Sequence, residues 1–285
     1  MLLRVENLSY TYMKGTPFEK KALDDVSLEI EKGDFVGIIG HTGCGKSTLV
    51  QHFNGLLKPD SGNIYINDQC VNNSNIKVLR KSVGFVFQYP EHQLFEATVY
   101  KDIAFGLKGE KLTKAEERQR VIKAATAVGL DLSLLDNSIY DLSGGQKRRV
   151  AVAGVIVMNP DILVLDEPAA GLDPIGRDEI LNFIKNLRDE YGITIILVSH
   201  SMDDVAKYTN KVIVMNDGKI EMIGAPGKVF TNAARLREIG LDVPQITTLF
   251  AKLSEKFPEY NINREVFTLE DAKAALLKLI GGEGK

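Results

Sequence analysis

The segment Gly40-His41-Thr42-Gly43-Cys44-Gly45-Lys46-Ser47 has the spacing G-x-x-x-x-G-K-[ST] and narrows the possible folds of this chain more than any other. The glycines let backbone N–H groups close around phosphate oxygens, the lysine reaches the terminal phosphates, and the serine hydroxyl meets magnesium. Such a loop needs a buried strand before it and, after it, a helix whose positive N-terminal end faces the anion. Both flanks comply. Phe35-Val36-Gly37-Ile38-Ile39 reads as a buried strand, and residues 46–55, with Thr48 in the first turn, read as a helix.

The same grammar of strand, loop and helix recurs down the chain. Residues 83–87, 162–165 and 193–198 are short β-branched-rich runs typical of a buried parallel sheet, so the core is α/β. Ahead of it, residues 2–12 and 26–30 alternate as half-buried strands and predict an antiparallel cover beside the phosphate loop. Between residues 98 and 129 strands disappear, and Thr113 with Glu116 opens a helix in capping-box fashion; residues of about 90–158 are read as a helical insertion. Residues 211–215 and 219–223, joined by Asn216-Asp217-Gly218, predict a hairpin. Beyond Gly227 two amphipathic stretches, 244–256 and 269–280, read as a small helical extension, which divides the chain into residues 1–230 and 231–285.

A net charge of −3 supplies no excess of lysine and arginine for a nucleic-acid backbone, so no nucleic-acid partner is expected. The longest apolar run, residues 150–158, is about half of what a bilayer needs, and the N-terminus lacks a secretory pattern. Cys44 and Cys70 form neither a metal motif nor a disulfide framework, which suits a reducing cytosol.

Two further segments carry chemistry. Ile162-Leu163-Val164-Leu165-Asp166-Glu167 puts carboxylates at the carboxyl end of a buried strand, where open α/β sheets hold ligands. Asp166 would support the magnesium shell, and Glu167 would orient the water that attacks the γ-phosphate; read alone, the same residues could simply end a strand at a turn. Ser143-Gly144-Gly145-Gln146 precedes a helical run. Ser143 is a good N-cap, and the two glycines leave N–H groups uncovered, so this is a second anion-binding terminus unless the glycines only make a tight turn.

With Leu142-Ser143-Gly144-Gly145-Gln146 in place, the chain resembles the nucleotide-binding ATPase of ATP-binding-cassette (ABC) transporters over about residues 2–227. The resemblance implies a P-loop NTPase core with an antiparallel β subdomain, a helical subdomain and a C-terminal extension, acting on ATP with Mg2+. It also implies that two cassettes pack head to tail, so that Ser143, Gly144, Gly145 and Gln146 serve ATP on the partner's phosphate loop. Residue by residue, Tyr12 stands where the family stacks an aromatic on adenine, with Tyr10 as the rival. Gln88 matches the glutamine that reaches magnesium and the water, Gly171-Leu172-Asp173 the loop at the dimer seam, and His200 the histidine at the γ-phosphate. Cys44 departs from the small residues such as serine that are commoner there; its thiol is expected to ionise readily beside Lys46 and the helix N-terminus.

Residues 87–96, Phe-Gln-Tyr-Pro-Glu-His-Gln-Leu-Phe-Glu, resemble the same region of energising subunits of energy-coupling-factor transporters, importers of vitamins and transition-metal ions. In those the ATPase docks on a shared transmembrane subunit that works with a small substrate-binding membrane subunit. Glu91 and Glu96 would hold guanidinium forks of the transmembrane subunit while Leu94 and Phe95 form an apolar seat. The chain is then expected on the cytoplasmic face of the cell membrane, paired with a second cassette. A different cassette chain is favoured, and the intact motifs also permit a homodimer. The alternatives are the ATPase of a conventional importer of ions or small solutes and, further off, a soluble non-transport cassette protein.

Overall fold

The computed structural model describes residues 1–71, 76–263 and 265–280. Two sheets divide the labour. Strands β1 (Leu3–Tyr12) and β2 (Lys20–Ile30) pair antiparallel, and β1 also pairs with β4 (Ser61–Ile66), which pairs with β5 (Gln69–Cys70), in the order β2-β1-β4-β5. The second sheet has the order β10-β9-β3-β8-β7-β6, from β3 (Phe35–Ile39), β6 (Val83–Val86), β7 (Ile162–Asp166), β8 (Thr194–Val198), β9 (Lys211–Asn216) and β10 (Lys219–Gly224). All its pairings are parallel except the edge hairpin of β9 and β10. That hairpin turns on Asp217 at φ 44° and Gly218 at φ 78°, the two positive-φ positions such a turn demands.

β3 and β8 are buried at every residue, and β7 at every residue but the last, which explains their nearly uninterrupted aliphatic sequences. Helix α1 (Lys46–Phe53) follows β3, and its Leu49, Val50 and Phe53 join the core between the two sheets. Helix α2 (Ile76–Ser82) leads into β6. Between β6 and β7 lie α3 (Val99–Phe105), α4 (Lys114–Ala127), α5 (Gly144–Ile156) and single 3-10 turns at Pro90–Gln93, Leu132–Leu134 and Ile139–Asp141. Thr113 and Glu116 form the reciprocal capping box at the head of α4. This helical lobe shares one apolar core with a face of the parallel sheet and with α6 (Pro174–Tyr191). On α6, Ile180, Leu181, Ile184 and Leu187 recur with helical spacing and are buried, each contributing about 1.5–3 kcal/mol of apolar burial.

Helices α7 (Met202–Tyr208), α8 (Pro226–Phe230) and α9 (Ala233–Glu238) cover the β9 side. Then α10 (Gln245–Lys256) and α11 (Leu269–Ile280) enclose a small separate core of Phe250, Val266 and Ala272. The backbone N–H of Gln245 donates to Asp203 at 3.0 Å, tying α10 to the head of α7. The α/β core, antiparallel cover, helical lobe and C-terminal helices follow the sequence reading. Strands β4 and β5 and helices α2, α8 and α9 were not anticipated. β2 also begins at Lys20 rather than at residue 26, because its polar first half is held by pairing with β1 out to Tyr12 opposite Lys20.

Candidate functional site

The chemistry-bearing residues collect at the carboxyl ends of β3, β6, β7 and β8, the usual ligand edge of an open parallel sheet. The loop Gly40–Ser47 leaves β3 between its neighbours β8 and β9 and enters α1 with no side-chain cap. Gly45 stands at φ 105°, and a Cβ there would come within 2.5 Å of the Ala22 carbonyl, so only glycine lets the loop pass under β2. The buried Lys46 ammonium donates to the carbonyls of Gly40 at 2.8 Å and His41 at 3.0 Å, which holds it inside the loop's curve. Gly43, Gly45, Lys46, Ser47 and Thr48, with Tyr12, Lys20 and Ala22 from the antiparallel sheet, line a cavity of about 260 Å3.

The two tyrosines of β1 differ in surroundings. Tyr12 is 37% exposed, forms the cavity wall and shares a 3.2 Å hydrogen bond with the Thr48 hydroxyl. Tyr10 packs edge-on against the buried His52 with ring centroids 4.9 Å apart, on the core side. Tyr12 therefore faces the cavity beside the phosphate loop, while Tyr10 faces the core.

Asp166 ends β7 with its carboxylate beside the Ser47 hydroxyl. Burial raises its pKa and the neighbouring Glu167 charge adds to this, against the Ser47 hydrogen bond, Lys46 and His200. Glu167 follows at φ 53°, a strained conformation for a non-glycine residue, with its N–H donating to Val198 at 3.0 Å. Its carboxylate receives Gln88 Nε2 at 3.0 Å and lies 2.8 Å from His200 Nε2. Side chains from the ends of β6 and β8 thus converge on one carboxylate at the end of β7. Because the Gln88 amide donates its nitrogen to Glu167, its carbonyl oxygen is left as a ligand atom. Together with the Ser47 hydroxyl and the Asp166 carboxylate it makes a set of hard oxygen donors, which fits Mg2+.

The other group of expected residues stands apart. Ser143 caps α5, accepting from Gln146 N–H at 3.3 Å while the Gln146 side chain accepts from Ser143 N–H at 2.8 Å. Gly144 and Gly145 are exposed, with open space where a side chain would project. Asp173 caps α6 through Gly176 N–H at 3.0 Å. Among the described residues no hydrogen bond or ion pair joins Ser143, Gly144, Gly145, Gln146 or Asp173 to the phosphate loop.

Two expectations are corrected. Cys44 is 1% exposed, and burial pushes its thiol pKa up, outweighing the pull of the Lys46 ammonium 3.9 Å from its Sγ; the thiol is not readily ionised. Glu91 is not free for a guanidinium from another subunit, because Arg148 of α5 already holds both its oxygens, at 2.7 and 3.0 Å. Arg148 gave no sequence signal, since a separation of 57 positions from Glu91 hides the pairing. Glu96 keeps its carboxylate out of any ion pair among the described residues, while the N–H groups of Phe95 and Glu96 both donate to the buried Asp102, at 3.0 and 2.9 Å. That anchor leaves Phe95 61% exposed and set edge-on against Phe105.

Comparison with known proteins places this geometry in a family. The sequence description of the ABC transporter family matches residues 23–170. The Energy-coupling factor transporter ATP-binding protein EcfA2 of Acetivibrio thermocellus is 60% identical, over 98% of this chain and 99% of its own. Among solved structures, cbiO1 from Clostridium perfringens, part of the ABC transporter complex cbiONQ, is 41% identical with a TM-score of 0.75, covering 90% of this chain and 96% of its own. The ATP-binding cassette MJ0796, solved as a dimer bound to ADP and Pi, is 28% identical with a TM-score of 0.69, covering 79% of this chain and 99% of its own. The family expected from the Leu142 to Gln146 motif is thereby borne out: this chain belongs to the ABC transporter ATPases.

Proposed function

We propose that the chain is the ATP-binding and ATP-hydrolysing subunit of an energy-coupling-factor transporter, seated on the cytoplasmic face of the membrane and driving uptake of a micronutrient. The observation that carries the hydrolytic half is the convergence of Gln88 and His200 on Glu167, beside the Ser47–Asp166 contact at the phosphate loop. The transporter class is supported by relatives named as energy-coupling-factor ATP-binding proteins and by the cbiONQ relative.

In this reading ATP lies with its base against Tyr12 and its phosphates in the N–H groups of the loop from Gly40 to Thr48, within reach of Lys46. Ser47, Gln88 and Asp166 would hold Mg2+, which would neutralise phosphate charge. Glu167 orients and polarises the attacking water, and His200 faces the γ-phosphate; phosphoryl transfer needs mainly this positioning and charge stabilisation. Ser143, Gly144, Gly145 and Gln146 present their helix terminus to ATP on a second cassette, with Asp173 at the seam, and a different cassette chain is the favoured partner. A transmembrane coupling subunit docks near residues 88–96, on Phe95, Phe105 and Glu96, and works with a substrate-binding membrane subunit. No described helix is long and apolar enough to cross a membrane, so such subunits would supply the passage.

Glu167→Gln tests the hydrolytic role. It keeps the shape of the side chain, so MgATP binding should persist while hydrolysis in the assembled transporter falls about 10²–10⁴-fold, the range for a lost general base. Turnover near wild type would remove Glu167 from that role. Purification from native membranes with a second cassette and transmembrane partners tests the transporter class, and a soluble partner alone would refute it.

A further inference from the structure

The side chain of Arg148 is 4% exposed, and its guanidinium lies where three functional segments meet. Its Nε and Nη2 donate to the two carboxylate oxygens of Glu91, at 3.0 and 2.7 Å. Nη1 donates to the Pro168 carbonyl at 2.9 Å, and both terminal nitrogens reach the Ala170 carbonyl at 3.4 Å. Glu91 is three residues beyond Gln88, in the 3-10 turn Pro90–Gln93. Pro168 directly follows Glu167, and Ala170 leads towards Asp173. Arg148 itself sits in the second turn of α5, the helix capped by Ser143.

One rigid fork therefore joins the helix offering the glycine-rich terminus to the two loops that carry the Gln88 and Glu167 side chains. We propose that Arg148 is a positioning residue that makes α5, the Gln88 loop and the Glu167 loop move as one body, so that an anion bound at the Ser143 terminus sets the water-holding pair. This deepens the proposed function and rests on it.

The physics favours a tight linkage. A planar guanidinium with fixed donor directions tolerates little displacement, because hydrogen bonds weaken steeply with distance and angle. Burial penalises the Glu91 carboxylate, yet the hydrogen bonds and charge of Arg148 keep its pKa below the ordinary value, so both partners stay charged and neither can leave alone. Lysine would keep the charge and lose the fork.

The test uses the full chain in its assembled transporter, with three variants. Arg148→Lys keeps a cation. The double variant Glu91→Leu with Arg148→Met replaces the pair with apolar groups of similar size, a change that buried ion pairs often tolerate. Glu167→Gln is the reference. Melting temperature, ATP affinity, KM and kcat are measured for each. Expected is a double variant that melts like wild type and binds ATP within about twofold of it, with KM unchanged and kcat lowered at least tenfold, the pattern of an interaction made only on the way to the transition state. Arg148→Lys should fall between. A folded double variant with wild-type kcat would overturn the proposal, and so would a double variant that no longer folds or binds ATP, because the pair would then be a stability element. If Glu167→Gln also hydrolyses normally, the proposed function fails; if it is inactive and the Arg148 variants are not, this inference alone fails.

Discussion

Tyr12 and Tyr10 lie two residues apart on one strand, and their different surroundings give a measurable separation of base binding from packing. Tyr12→Ala removes the ring that walls the cavity beside Gly43, Lys46 and Thr48. Stacking of a base on an aromatic side chain is worth about 1–3 kcal/mol by alanine substitution, so MgATP should bind roughly 5- to 150-fold more weakly. Tyr12→Phe keeps the ring and loses only the 3.2 Å contact to Thr48. One partly exposed hydrogen bond of this kind contributes about 0.5–1.5 kcal/mol at most, so the loss should stay below about tenfold. Tyr10→Ala instead opens the packing against His52, costing some of the about 3–5 kcal/mol of a fully buried aromatic in stability and leaving affinity close to wild type. Calorimetric titration with MgATP and with magnesium tripolyphosphate, which has no base, isolates the effect. Tyr12→Ala should weaken only the first. Equal weakening of both ligands, or none, would refute the stacking role.

Two other outcomes follow from burial. A maleimide at neutral pH should label the exposed Cys70 and leave Cys44 largely unmodified in the folded chain, because a raised thiol pKa keeps thiolate scarce and the sulfur is covered; peptide mapping that finds Cys44 labelled first would contradict this. Phe250→Ala should loosen the small core of Val266 and Ala272, at up to about 3–5 kcal/mol for a buried aromatic. Limited proteolysis should then cut within 245–280 while ATP affinity holds, and loss of ATP binding would show the nucleotide site to depend on that core.

What the sequence made legible divides along physical lines. The phosphate loop, the buried runs expected at 35–39, 162–165 and 193–198, and the hairpin turn at Asp217 and Gly218 are local signals, each complete within a few residues, and they appear in the structure to within a residue at their ends. Strands β4 and β5 were missed because their sequences lack strict alternation and their identity comes from pairing, β4 with β1 and β5 with β4. Glu91 was assigned to an outside partner because a surface-like carboxylate in a polar stretch gives no hint of a buried arginine on α5. The same limit applied to Cys44, where the nearby Lys46 was visible in the sequence and the burial was not. Tyr12, with Tyr10 as its rival on the same strand, could not be separated by surroundings from the sequence, because which side chain faces the cavity depends on how β1 lies against α1.

The helical lobe leaves the parallel sheet at β6 and returns to it at β7, and these two strands are hydrogen-bonded neighbours, with Val86 opposite Leu165. A long excursion that departs and comes home at adjacent points behaves like a bracketed clause in a sentence. Its length and wording can change without displacing either strand, since the two ends are already held together by the sheet. The parts of the lobe away from α5 could therefore be recut to fit a different membrane partner, while the bracketing strands, which end just before Gln88 and Glu167, and the Arg148 fork keep their places.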